Sequence, residues 1–313
     1  MEKLPIEIVT EIFRVTAYLF RLTDRGTVVR LALTSSFVYD AVSPILYERI
    51  VIGSDQEESG FLTLLKNEPV AAKVLKHVTF LCTGAARSTR ISPSAATLFI
   101  NIKAVYGSMA LWSAIAKSAN TERGGAIARD LRVWTAGLAD LDLTGIHQPN
   151  LCCLTRLHTF IPHCSLQRTF HKFSRDPTGW TRQMLALLPS LTHLGFSHVD
   201  PDFPKEGAES KNLDACLQIL RVVATSQTPS IHVVALRITG RAAICLNAYI
   251  RIAQAVDEGW AMSCMYMWVD QREIKGWLDE SALMIDDARK ERSIWTEAKP
   301  LSWYNNAPGV AAQ

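Results

Sequence analysis

The sequence predicts an α/β chain with a small three-helix module over residues 1–52 and an irregular helix–strand solenoid over 53–300. Three observations predict it. The first fifty residues hold three short blocks of apolar residues at helical spacing. Behind them, helical stripes alternate with short β-type runs. Pieces of the form L-x-x-L recur, as in Leu151-x-x-Leu154-x-x-Leu157 and Leu188-x-x-Leu191-x-x-Leu194. The last residues, 301–313, carry Asn305-Asn306 and Pro308-Gly309 and read as a flexible tail.

The front module begins with Pro5, which suits a first helical turn because its missing N–H costs nothing there. Ile8, Ile12, Val15 and Leu19 form one stripe, and Val9, Phe13 and Ala17 a second beside it. A helix apolar on two stripes packs on two sides, one facing its own domain and one open to a partner. Asp24 can cap a second helix holding Val28, Val29, Leu31 and Leu33. Ser35 or Ser36 can cap a third, in which Pro44 should kink the helix or start a new turn. Tyr47 to Ile52 alternates like a strand.

Strands are expected to start near 77, 131, 156, 191, 231 and 263, each following a helical stretch or loop. The intervals are too uneven for a strict leucine-rich repeat, whose period is about 20–29 residues. The pattern resembles a degenerate leucine-rich repeat, in which each unit buries an apolar face on its neighbour. Residues Ala95 to Lys117 read as a long helix broken near Gly107, and Leu278 to Trp295 as a closing helix. Five of the eight tryptophans lie in the last 54 residues, where they can cap the open end of the solenoid or form a contact surface.

Composition narrows the function. Net charge is +3, and the first 52 residues carry six basic and six acidic side chains. That balance argues against nucleic acid as a partner, which calls for a clustered basic face. There is no apolar run long enough to span a bilayer, so no membrane partner is expected. The start Met-Glu-Lys lacks a leader pattern, and the seven cysteines are odd in number and irregular in spacing. Both predict reduced thiols and a cytoplasmic or nuclear location.

Catalytic, cofactor and metal sites are not expected. Cys152, Cys153, His158, His163, Cys164 and His171 fall close together, but not at the paired spacings of a zinc site. Asp140 and Asp142 could share one face of a strand, and read better as a solvent-facing edge. Phosphate-binding loops and nucleophile elbows are absent from the sequence. The chain reads as a non-enzyme.

One resemblance gives the module a role. Leu4-Pro5-x-Glu7-Ile8, Ile12-Phe13, Leu31-Ala-Leu33-Thr-Ser-Ser36 and Ser43-Pro-Ile-Leu-Tyr47 together resemble an F-box of the basidiomycete fungal type. The gap from Ile12 to Leu31 is several residues longer than in the compact family pattern. The resemblance implies a substrate-recognition subunit of an SCF-type cullin-RING ubiquitin ligase. Leu4, Pro5, Ile8, Ile12, Leu31 and Leu33 would then dock on the SKP-type adaptor, and the solenoid would hold a target protein. The alternative is a solenoid interaction scaffold with no ligase link, whose F-box-like start is only an N-terminal cap.

Overall fold

A computed structural model describes residues 4–83, 98–107, 133–137, 153–161, 176–199, 217–219, 221–223, 231–239, 265–270 and 280–300. The chain is mixed α/β.

Three helices open it: α1 (Ile6–Phe20), α2 (Arg25–Ala32) and α3 (Ser36–Leu46). The caps fall on the predicted residues. Asp24 accepts from the Thr27 amide, and Ser35 accepts from the Val38 amide. Both satisfy amides that the helix leaves unpaired. Pro44 sits inside the last turns of α3 without ending it. The three helices enclose a core of Ala17, Val28, Ala32, Val38, Val42 and Leu46, with Phe13 and Leu31 packed on its edge. The long gap from Ile12 to Leu31 is taken up by α1 running on to Phe20, followed by a short turn.

Among the described residues, nine strands then form one sheet, in sequence order. They are β1 (Arg49–Ile52), β2 (Phe80–Thr83), β3 (Ala104–Tyr106), β4 (Val133–Gly137) and β5 (Arg156–Ile161). They continue with β6 (His193–Val199), β7 (Val233–Thr239), β8 (Met265–Asp270) and β9 (Lys299–Pro300). The first eight are parallel, and β9 adds antiparallel to β8. The last four residues of the 1–52 stretch are thus the first strand of the sheet. Helices α4 (Asp55–Lys66) and α5 (Glu68–Leu75) connect β1 to β2, and α6 (Pro177–Leu187) precedes β6. Parallel crossovers are right-handed, so strands laid down in one direction place these helices on one face.

That face is largely apolar among the described side chains. The register aligns Leu81 and Val105 on β2 and β3, and Leu157, Leu194, Val234 and Met265 on β5 to β8, and all six are buried. This is the continuous Leu/Val pattern expected where a parallel sheet is covered.

Two expectations are corrected. The long helix over Ala95 to Lys117 is interrupted by strand β3 at Ala104–Tyr106; Val105 and Tyr106 fill buried sheet positions, and this pairing overrides helical spacing. The closing helix is two helices, α7 (Glu280–Arg289) and α8 (Ile294–Glu297). Glu291 lies between them with φ of 52°, a left-handed conformation that ends α7.

The segment 280–300 covers the second face. Arg49 of β1 donates to the Ala288 carbonyl at 3.0 Å, while Asp287, one residue earlier, bonds Arg237 of β7. Strands β1 and β7 are six places apart, roughly 29 Å along a flat sheet at ~4.8 Å per strand. Neighbouring Cα atoms are only ~3.8 Å apart. The arginine side chains reaching from both strands span part of that distance, and we read the remainder as curvature of the sheet around α7, with this face concave.

Leu194 sits at the centre of the apolar ladder. Leu194→Ala is expected to cost about 2–5 kcal/mol of stability by urea unfolding. A loss under about 1 kcal/mol would show that the ladder is not the packed core described.

Candidate functional site

Two regions carry features beyond packing: the outer surface of the helical module and the concave face of the sheet.

On α1 the two stripes separate cleanly. Ala17 is fully buried and Val9 and Phe13 are half-buried, so the second stripe faces the module core. The first stripe faces outward: Ile8 is 50% exposed and Ile12 51%, with Val15 and Leu19 similarly open. Leu4 and Pro5 precede the helix and are exposed, and Leu33 is 77% exposed beyond α2. Leu31 differs, because it packs against the module core. Five of the six expected docking residues thus lie on the surface and the sixth supports the core beneath. Tyr18, Leu22, Val29 and Phe37 of the module are exposed as well. Spacings of four, three and four from Ile8 to Leu19 make a seam of the 3.5-residue period, which suits contact with a helix.

The module is tied to the sheet through Glu291. Its carboxylate accepts from Arg21 Nη2 at 2.9 Å, at the end of α1, and lies 3.4 Å from Arg49 Nε on β1. Arg49 also stacks on Phe80, 3.8 Å from the ring centre. A cleft of about 280 Å³ opens at this junction, between the turn after α1, α2, α3, β1 and the end of α7. Its guanidinium groups are engaged: Arg25 bonds the Leu46 carbonyl at 3.2 Å, and Arg289 bonds Glu57 at 2.9 Å.

The concave face is polar at its centre. His158 of β5 and Ser197 of β6 share a hydrogen bond of 2.7 Å, both buried. Arg237 of β7 is fully buried and pairs with Ser197 in register. Arg237 Nη2 donates to Asp270 Oδ2 at 2.6 Å, and Nη1 donates to Asp287 Oδ2 at 2.5 Å. Its guanidinium stacks 4.0 Å from the Trp268 ring centre. Trp295 of α8 lies on Gly195, edge-on to His158 and His193 at 6.3 and 5.6 Å. Trp295 therefore covers the concave face, whereas the sequence suggested that it caps the open end of the solenoid or forms a contact surface.

Burial sets the ionisation of this cluster. It pushes Asp287 up to about 6, despite Arg237 beside it, and raises Asp270 in the same way. Burial, then the charge of Arg237, holds His158 well below 6.5. A neutral histidine against a serine hydroxyl is the pairing of a nucleophile with its base. Here both are enclosed under Trp295 and α8, and the arrangement serves as a satisfied polar contact. Burial likewise pushes Cys82 up to about 12, a packed thiol rather than a reactive one.

Of the residues weighed for metal, Cys153 is half-buried and His158 is bonded to Ser197. Cys152, His163, Cys164, His171, Asp140 and Asp142 lie outside the described residues. The described residues contain no group of three or more potential ligands. No helix among them is long and apolar enough to cross a membrane.

The sequence reading missed the Arg237–Asp270–Asp287 cluster. The one available signal was a charged residue inside the apolar run Val233–Thr239.

Asp287 gains a proton in the fold near pH 6, against an ordinary 3.8, so it favours folding as pH drops from about 7 to about 4. His158 acts oppositely: it stays neutral in the fold while the unfolded chain protonates below 6.5. Asp287→Asn removes the first effect and leaves the second. Its stability should fall more steeply than wild type from pH 7 to 5, measured by urea unfolding at each pH. Parallel curves would contradict the assignment.

No protein-family model matches the chain, and no curated protein matches its sequence.

Proposed function

We propose that this chain is a non-catalytic substrate-recognition subunit of an SCF-type cullin-RING ubiquitin ligase. The observation that carries the reading is the outward stripe of Ile8, Ile12, Val15 and Leu19, joined by Leu4, Pro5 and Leu33. These residues belong to the segment that resembles an F-box. An exposed apolar surface of this extent is costly in water and marks a contact with another protein. A helical seam of this kind fits a helix-lined groove, the mode in which an adaptor would receive it.

Behind the module, we read the ordered parallel sheet as a degenerate leucine-rich-repeat-like solenoid, a reading that its strand order supports. In this reading it holds the target protein while the module holds the adaptor. The chain performs no bond chemistry itself. It raises the local concentration of target at the ligase.

The other reading, a scaffold whose helical start only caps the sheet, calls for the outer stripe to be covered by the chain that follows. In the described residues the stripe is open, and it is Val9, Phe13 and Ala17 that turn inward. This favours docking over capping.

Co-purification with an SKP-type adaptor tests the proposal. Ile8→Ala/Ile12→Ala and Leu4→Ala/Pro5→Ala should each lower adaptor recovery about ten-fold or more, the scale of losing an interface anchor. Their unfolding midpoints should change little, because the side chains are exposed. Recovery equal to wild type would overturn the docking assignment.

A further inference from the structure

The cleft where the module meets the sheet combines apolar surface with clustered positive charge. Val28 and Leu46, both buried, and the half-buried Ile45 and Val51 line it. The same lining holds four guanidinium groups, those of Arg21, Arg25, Arg49 and Arg289. Three carboxylates share it, from Glu48, Glu57 and Glu291, so positive groups outnumber negative ones by one.

The pairing is uneven. Glu291 serves two partners, Arg21 at 2.9 Å and Arg49 at 3.4 Å. Glu57 takes Arg289 at 2.9 Å and also accepts from the Gly53 amide at 2.7 Å. Glu48 stands 3.9 Å from Arg21. Arg25 bonds the Leu46 carbonyl through Nη2 and forms no ion pair among the described residues. On an open surface such an arginine is simply hydrated. Arg25 instead lines a cleft with apolar walls, which focus its field and strengthen its attraction for an anion.

Two of the other guanidiniums are held in place by their own contacts. Arg49 stacks on Phe80 and donates to the Ala288 carbonyl at 3.0 Å, and Arg21 lies 3.8 Å over the Tyr18 ring. Groups ordered in advance spare a ligand the cost of ordering them. The cleft volume of about 280 Å³ lies near the lower end of the range for small-molecule sites, which begins at about 300 Å³.

We propose that this cleft binds a small organic anion. Its apolar body, of one or two rings, sits among Val28, Ile45, Leu46 and Val51, and its carboxylate or phosphate head meets Arg25. The lining comes from the module through Arg25, Val28 and Leu46, and from the sheet and its cover through Val51 and Arg289. An occupant therefore bridges the two and stabilises their junction. The site is separate from adaptor docking, because none of Ile8, Ile12, Val15 and Leu19 lines it.

Isothermal titration of the full chain with 1-naphthyl phosphate, 1-naphthoate and the neutral 1-naphthalenemethanol tests the proposal. At least one anion should bind with a Kd below about 1 mM, the scale for a ligand of this size, and the alcohol at least about ten-fold more weakly. The tighter of the two anions tells a phosphate head from a carboxylate, and either supports the site. Arg25→Gln should weaken the better anion about ten-fold, the scale of one hydrogen bond to a charged group. Arg289→Gln removes a second, exposed guanidinium and should weaken it about three-fold. Ile8→Ala/Ile12→Ala should leave it unchanged. Failure of both anions to bind, equal binding of the alcohol, or loss of binding in the Ile8/Ile12 variant would each overturn the site. So would wild-type affinity in Arg25→Gln, or in Arg289→Gln should Arg25→Gln fail to fold. Adaptor recovery is read separately on Ile8 and Ile12, so either proposal can fail alone.

Discussion

A parallel sheet has two faces to cover, and strands laid down in one direction send all their crossovers to the same side. That constraint governs this molecule. The crossover helices shield the ladder of Leu81, Val105, Leu157, Leu194, Val234 and Met265, and they cannot reach the other face. Curvature brings that face around a single helix, and the chain supplies the helix from its own C-terminal region. The segment 280–300 then adds β9 to the edge of β8, pairing it at Tyr266 and Met267.

The same segment joins the helical module to the sheet. Glu291 adopts its left-handed conformation where α7 ends, and from there its carboxylate meets Arg21 of α1 and Arg49 of β1. One residue thus touches the module, the sheet edge and the covering segment. The module keeps its own core of Ala17, Val28, Val38 and Val42, so this junction sets its placement rather than its folding. What it leaves outward is the stripe of Ile8, Ile12, Val15 and Leu19, on the side of α1 opposite Ala17.

Charge inside the concave face is balanced across elements distant in sequence. Arg237 comes from β7, Asp270 from β8 and Asp287 from α7, with Arg292 3.7 Å from Asp287. Removing one partner of such a cluster strands the others in a low dielectric, so the group stands or falls together. Burial raises its two carboxylates and lowers His158, in each case against the charged form.

The sequence by itself determined the local structure. Helical spacing in 6–20, the caps Asp24 and Ser35, and the β-type runs at 156–161 and 193–199 are short-range signals, and each is read within a turn or a strand. It also separated the two stripes of α1, because Ala17 and Ile8 differ by position on one helix. Tertiary structure decided which stripe faces out, since that depends on where α2 and α3 pack. It decided that Leu31 belongs to the core while Leu33 is open, and that Ala104–Tyr106 pairs as a strand between β2 and β4. It alone brought Arg237 to Asp287 and Trp295 to Gly195. Those contacts span tens of residues, and they close only where the C-terminal helices pack across the sheet.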